Sequence, residues 1–143
     1  MQSRPEWTCA VTSSRRSPQR GGFRSSYCSL AHGTVLIERF GEPVREIALD
    51  RRAGALDEVD VAVMDLAERV VDDATSIDDA DLQRLRDLGL SDTDIMDAVL
   101  AAAARCFFAK TLDALGVRPD ASYRELEPEL REALVVGRPI ADA

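Results

Sequence analysis

Residues 57–70 read DEVDVAVMDLAERV, and this stretch decides the fold class. Its apolar side chains recur at steps of three and four residues, which is the spacing of one face of an α-helix. They are Val59, Ala62, Val63, Leu66, Ala67 and Val70. Asp57 stands directly before them, where a short polar side chain caps a first turn. The stretch therefore predicts an amphipathic helix with one face in a core.

Helical spacing also predicts elements on both sides of this stretch. Capping residues, prolines and glycines mark where these helices begin and end. The expected helices are Ser25 to Phe40, Glu42 to Asp50, Asp78 to Leu88, a long helix that follows the cap Ser91-Asp92-Thr93-Asp94 and stops at Gly116, and Pro128 to Val135. No segment of any length alternates like a strand. We therefore predict an all-α helical bundle.

The N-terminal stretch differs in composition from the rest of the chain. Residues 1–24 contain five arginines and one glutamate, mixed with Ser, Pro and Gly, and they show no sustained period of 3.6 or 2. We predict that residues 1–24 are a disordered or atypical N-terminal segment. Residues 25–143 are then expected to form a single helical domain, a usual size for one hydrophobic core.

The composition of the chain indicates which kinds of partner and which cellular compartment to expect. The net charge of −8 argues against nucleic acid, because binding phosphates requires clustered Lys and Arg. No apolar run approaches the length of about 18 residues that a membrane span needs. Three scattered cysteines, Cys9, Cys28 and Cys106, indicate a reducing cytoplasm rather than a disulfide framework. No cofactor fingerprint or zinc-ligand cluster is present, so we expect neither a cofactor nor a metal.

The residue types that can take part in catalysis lie close together in residues 25–33, which read SSYCSLAHG. On a helix Cys28 and His32 are four residues apart and share a face. Cys28 also falls in the first turn, where free backbone N–H groups and the helix dipole favour a thiolate, the reactive form. The spacing C-x-x-x-H alone is a weak motif, since a lone Cys is usually a small core residue and a lone His a satisfied polar one.

The surrounding residues make the motif more specific. Residues 27–33 resemble the active-site helix of the alkylhydroperoxidase D-like (carboxymuconolactone decarboxylase-related) proteins, whose pattern is C-x-x-C-x-x-x-H. Residues 60–68 (DVAVMDLAE) resemble the second helix of that family, and residues 90–95 (LSDTDI) and 114–120 (ALGVRPD) resemble its peroxidase-related branch. The resemblance covers roughly residues 25 to 140. It implies an AhpD-like helical bundle.

The resemblance also implies roles for individual residues. Cys28 matches the second cysteine of the pattern, which attacks peroxide, and His32 matches the histidine of the proton relay. Ser25 occupies the position of the first, resolving cysteine. The relay glutamate of the family is expected near Ser13, where no acidic residue is found. Any peroxidase activity is therefore expected to be weakened.

Three functions remain open from the sequence, and the first is favoured as the inherited function. The first is a thiol-dependent, antioxidant peroxidase that takes a peroxide as substrate and an external thiol as reductant. The second is a binding or structural protein that keeps the fold but has lost turnover, and the third is a carboxymuconolactone decarboxylase-like lyase. The resemblance further implies a homo-oligomer, a trimer or hexamer. Cys106 lies on the apolar face of its predicted helix and is interpreted as a packing residue.

Overall fold

The computed structural model describes residues 24–40, 46 and 56–142. These residues form helices joined by short loops, and no β-strand occurs among them, which confirms the all-α prediction. The α-helices are α1 (Ser26–Phe40), α2 (Glu58–Asp73), α3 (Asp79–Asp87), α4 (Asp92–Ala114) and α5 (Pro128–Leu134). Two 3₁₀ turns, Ala74–Ser76 and Ala121–Glu125, were not predicted from the sequence.

Polar side chains cap the starts of the central helices. The Asp57 carboxylate accepts a hydrogen bond from the Asp60 backbone N–H at 2.7 Å, at the start of α2. Reciprocal capping boxes open α3 and α4, where Asp78 pairs with Asp81 and Ser91 pairs with Asp94. Each box satisfies backbone N–H groups that have no partner within the helix. The predicted helix starts at Asp57 and Ser91 are therefore confirmed.

Two glycines end helices as the sequence predicts. Gly89 follows α3 with φ +91°, and Gly116 follows α4 with φ +76°. Residues that have a side chain rarely adopt this left-handed backbone conformation, whereas glycine adopts it at little cost. At the other end of the chain Pro128 opens α5 at its first position, where the missing N–H is not needed.

Two predicted segments lie largely outside the described residues. Of residues 1–24, only Arg24 is described, so the expected disordered or atypical N-terminal segment stays a prediction. The expected helix from Glu42 to Asp50 is described only at Glu46, which is helical and exposed.

The larger hydrophobic cluster, here called the central core, lies between α2, α3 and α4. Its buried members are Ala62, Val63, Leu66, Leu85, Leu90, Ile95 and Ala98. The α2 members are those that the spacing of residues 57–70 predicts to share one face. The small side chains Ala62 and Ala98 let α2 and α4 approach closely, so these two helices form the main packing pair of the described fold.

A second cluster, here called the C-terminal core, attaches α1 to the end of the chain. Leu30 of α1 is buried together with Leu130, Leu134 and Ile140. A Cβ added at Gly33 would come within 3.0 Å of Leu134, so α1 and α5 meet at a position without a side chain. This packing holds α1, which carries the predicted reactive residues, against α5.

Candidate functional site

The first turn of α1 carries Cys28. The Ser25 carbonyl accepts the first helical hydrogen bond, from the Ser29 N–H at 3.0 Å, and α1 begins at Ser26. Cys28 is thus the third helical residue, within the turn whose N–H groups and dipole favour an anion. Its side chain is only 2% exposed. Cys28 is therefore almost fully shielded from solvent.

Buried serines surround Cys28 on α1. Ser25 and Ser26 each bond a distant element: the Ser25 hydroxyl donates to Asp113 of α4 at 3.3 Å, and the Ser26 hydroxyl accepts from the Gly137 N–H at 2.7 Å. Ser29 is fully buried, and its hydroxyl has no partner among the described residues. Ser25 directly precedes the first residue of α1, and its hydroxyl bonds α4.

The close contact of Gly137 with the start of α1 requires a glycine. A Cβ at Gly137 would collide with the backbone carbonyl of Arg24. Because Gly137 has no side chain, its N–H can reach the Ser26 hydroxyl. The C-terminal segment therefore lies against the first turn of α1. Two ion pairs between arginines and Asp142, from Arg118 and Arg124, hold the same segment further along.

His32 lies one turn after Cys28 and meets a cation from α4. The Arg105 terminal nitrogen Nη1 contacts His32 Nε2, which joins residues 73 positions apart in the chain. Partial burial lowers the pKa of the His32 imidazole below its usual 6.5, and the positive charge of Arg105 lowers that pKa further. Both effects disfavour the protonated ring. His32 is therefore held neutral over a wider range of pH than a free histidine.

The structure brings some predicted residues together and leaves others apart. Cys28 and His32 share α1 at the predicted spacing, which places them one helical turn apart. Cys106 is half-buried on α4 as a free thiol, beside Arg105 in the chain. Cys9 lies outside the described residues.

Sequence reasoning missed Arg105 and Asp113, which both bind α1 from α4. A signal for them existed. With Ala109 between them they occupy positions i, i+4 and i+8, and Ala109 is among the most deeply buried residues. A charged residue on the buried side of an alanine-rich helix needs a polar partner. The partner itself, on a helix some 70 to 90 residues earlier, is not readable from spacing.

Two other features do not occur in the part of the chain that the structure describes. No group of three or more His, Cys, Asp or Glu residues within the described ranges is arranged to hold a metal ion. Of the helices in those ranges, none combines the length and apolar character needed to cross a bilayer.

Comparison with solved structures identifies the class of fold. The chain matches no protein-family model, and it matches no curated protein. It does superpose on proteins of the AhpD-like, peroxidase-related group, so its fold is that of the AhpD-like helical proteins. This confirms the fold that the resemblance of residues 25–140 implied.

Two of these structures are informative. One is an uncharacterized peroxidase-related protein from Silicibacter sp. TM1040, with a TM-score of 0.71 and 22% identity over 87% of this chain. The other is an alkylhydroperoxidase AhpD core, an uncharacterized peroxidase-related protein from Ralstonia eutropha JMP134, with a TM-score of 0.68 and 21% identity over 96% of this chain. The match spans 63% and 66% of those chains, which is about two thirds of their length.

Proposed function

We propose that the protein is a thiol-dependent peroxidase with Cys28 as the attacking thiol and His32 in proton transfer. The observation that carries this proposal is the position of Cys28 in the first turn of α1, one turn before His32, in an AhpD-like fold. The sulfur there lies near the positive end of the helix dipole. His32, the sole histidine of the chain, is then the residue that we propose to carry the proton.

The proposed reaction has two stages. The Cys28 thiolate attacks one oxygen of a hydroperoxide, the O–O bond breaks, and the second oxygen leaves as an alkoxide that takes up a proton to give an alcohol. Cys28 is left as a sulfenic acid. An external thiol then attacks the sulfenic sulfur and releases water, and a second external thiol reduces the mixed disulfide and restores Cys28.

The residues around Cys28 explain why an external reductant is proposed. Ser25 stands where the AhpD pattern has a resolving cysteine, and its hydroxyl is bonded to Asp113. Serine cannot form a disulfide with Cys28. Cys106 is a free thiol on α4, and we assign it no part in the cycle.

The decisive test compares peroxide consumption by the wild type and Cys28→Ser. We expect the wild type to consume peroxide in the presence of dithiothreitol and to react with a sulfenic-acid probe after peroxide treatment, and Cys28→Ser to do neither. Cys106→Ser is the matched control, since it removes a thiol outside the proposed site, and it should keep both activities. Equal peroxide consumption by the wild type and Cys28→Ser contradicts the proposal.

A gain-of-function variant sharpens the same test. Ser25→Cys restores the spacing C-x-x-C within one turn of Cys28. We expect peroxide to oxidise this variant to an intramolecular disulfide between positions 25 and 28, visible as a loss of two hydrogen atoms in intact mass. A gain of one oxygen atom, from a stable sulfenic acid on Cys28, in place of the loss of two hydrogen atoms would show that the two side chains do not meet.

A second candidate function is a binding or structural protein without turnover. It is favoured by the near-complete burial of Cys28, by the absence of the resolving thiol and by Ser25 being engaged with α4. This candidate predicts that the Cys28 thiol resists both alkylation and peroxide in the native state. A lyase of the carboxymuconolactone decarboxylase type instead predicts lactone turnover that survives Cys28→Ser and is lost with His32→Asn.

We also propose that the protein is a homo-oligomer, a trimer or hexamer, assembled through α4. Several large apolar side chains on α4 and just after it are exposed in the single chain: Met96, Leu100, Phe107, Phe108 and Leu115. Phe107 is 75% exposed. Aromatic side chains on a surface commonly anchor interfaces.

Solution mass decides the oligomer proposal. We expect the wild type to elute as an oligomer in size-exclusion chromatography with light scattering, and Phe107→Ser to shift it towards the single-chain mass of 15.7 kDa. Val61→Ser, an exposed apolar position on α2, is the control and should leave the mass unchanged. A wild type that is monomeric at high concentration contradicts this proposal.

A further inference from the structure

The contact between His32 and Arg105 determines which ring nitrogen carries the proton. A guanidinium has five N–H donors and no acceptor. Arg105 Nη1 meets His32 Nε2, so this nitrogen must present its lone pair. A neutral imidazole with a bare Nε2 carries its hydrogen on Nδ1.

The charge of Arg105 is not cancelled by a carboxylate of the described residues. No ion pair of Arg105 is found there, and its Nε is buried without a hydrogen-bond acceptor in the same ranges. A partly buried cation without a counter-charge acts strongly on its neighbours, because little water screens it. The imidazole of His32 is the neighbour that it touches.

Arg105 is the charged group whose effect on the pKa of His32 is resolved. Helix α1 packs against α4 and α5. From α4, Arg105 is the charged group that lowers the pKa of His32. Helix α5 carries the charged residues Glu129, Arg131 and Glu132. On α1 itself, Cys28 is the titratable group that shares the helix face one turn away.

We propose that Arg105 is a positioning residue that holds His32 as a neutral imidazole with its hydrogen on Nδ1. Nε2 is then occupied by the guanidinium, and Nδ1–H is the ring group left to donate a hydrogen bond. For its role in catalysis this inference rests on the proposed function. The state of His32 itself does not depend on that function.

The effect of Arg105 on the basicity of His32 is opposite to the effect that a carboxylate has on the histidine of a proton relay. A carboxylate beside a histidine stabilises the imidazolium and makes the ring more basic, whereas a guanidinium destabilises it. For His32 to accept a proton on Nε2, its bond with Arg105 must break. His32 consequently acts as a neutral hydrogen-bonding group down to a lower pH, and any rate that requires neutral His32 persists further into the acidic range.

The single histidine of this chain makes the inference directly measurable. Selective ¹⁵N labelling of histidine in tag-free protein gives one pair of ring-nitrogen signals, which report both the tautomer and the pKa. In the wild type we expect the Nδ1–H tautomer and a pKa below 6.5. The Nε2–H tautomer or an unperturbed pKa in the wild type overturns the proposal without any variant.

Variants separate the charge of Arg105 from its shape. Arg105→Met should raise the pKa of His32 and mix the tautomers, while Arg105→Lys should keep the pKa low because the charge remains. Lys110→Met removes a positive charge from an exposed position on the same helix and should change neither. An unchanged His32 pKa in Arg105→Met, or the same rise in Arg105→Lys, contradicts the electrostatic role.

The catalytic part has its own readout. If the proposed function holds, the acidic limb of the pH profile for peroxide consumption should move to higher pH in Arg105→Met and stay in place in Arg105→Lys. Repeating the NMR titration in a Cys28→Ser background keeps the two proposals apart, since the state of His32 is measured there without turnover. An acidic limb that does not follow the His32 pKa overturns the catalytic part alone.

Discussion

The central core and the start of α1 are built in different ways. The central core joins α2, α3 and α4, which are close neighbours in the chain, through many interchangeable apolar contacts. Besides the apolar contacts of Leu30 in the C-terminal core, the first turns of α1 make a few specific polar bonds to residues far along the chain. These bonds join Ser25 to Asp113, Ser26 to Gly137 and His32 to Arg105. Stability is therefore spread over many side chains in one region and depends on single atoms in the other.

This difference predicts which region tolerates amino-acid substitutions. Apolar contacts in a core add roughly in proportion to buried area and accept substitutions of similar volume. A buried polar bond has no such substitute, because removing one partner leaves the other unsatisfied. We expect the central core to set the free energy of unfolding, and the polar bonds of α1 to set the geometry of Cys28 and His32.

The largest expected effect comes from the central core. Leu66→Ala removes a buried side chain, 4% exposed, and should lower the free energy of unfolding by about 2–5 kcal/mol, as large-to-small core changes do. Urea denaturation followed by circular dichroism measures it. Val61→Ala on the exposed side of the same helix is the control. A similar loss in both variants would mean that α2 does not bury the face described.

The next effect probes the close approach at Gly137. Gly137→Ala places a Cβ against the Arg24 carbonyl and should cost about 1–3 kcal/mol, the usual range for overpacking. The readout is denaturation together with amide hydrogen exchange in the first turn of α1, which should become faster. Exchange that accelerates equally in α2 would indicate global destabilisation instead of release of α1.

A smaller effect is expected at a helix start. Ser91→Ala removes the side chain that accepts from the Asp94 N–H at 3.2 Å and should cost about 1 kcal/mol, typical of an N-cap. Thermal melting measures the change, and Ser91→Asn, another good cap, should recover most of it. Failure of asparagine to recover stability would show that the loss does not come from the cap.

The smallest expected effect is a pH dependence from His32. Because its pKa in the folded protein lies below 6.5, the unfolded chain binds more protons as the pH falls through 6.5, so the free energy of unfolding decreases there. Above that pH the ring is neutral in both states and the contribution is fully present. The difference in stability between the wild type and His32→Asn should shrink or reverse from pH 8 to pH 5. A constant difference contradicts the lowered pKa.

The fold could be predicted largely from the sequence because its signals are local. The apolar stripe of residues 57–70, the caps at Asp57 and Ser91, and the glycines at 89 and 116 each specify structure within a few residues of themselves. Cys28 and His32 are also predicted in this way, since they lie one helical turn apart.

The partners of the site could not be predicted for the opposite reason. Arg105 and Asp113 are ordinary charged residues of a long helix until α1 packs against it, and nothing within a few residues of them specifies that contact. Gly137 likewise has a role only when the start of α1 lies beside it. Contacts between residues more than 70 positions apart are properties of the three-dimensional arrangement, and helical spacing carries no information about them.

The bond between Ser26 and Gly137 has a consequence for the order of folding. It closes a loop of 111 residues, and closing a long loop costs more chain entropy than joining adjacent helices. We therefore expect α2, α3 and α4 to assemble first, and α1 to dock when the C-terminal segment is in place. During synthesis on the ribosome, Cys28 would then remain accessible until residues 134–140 emerge, and its reactivity would report the completion of folding.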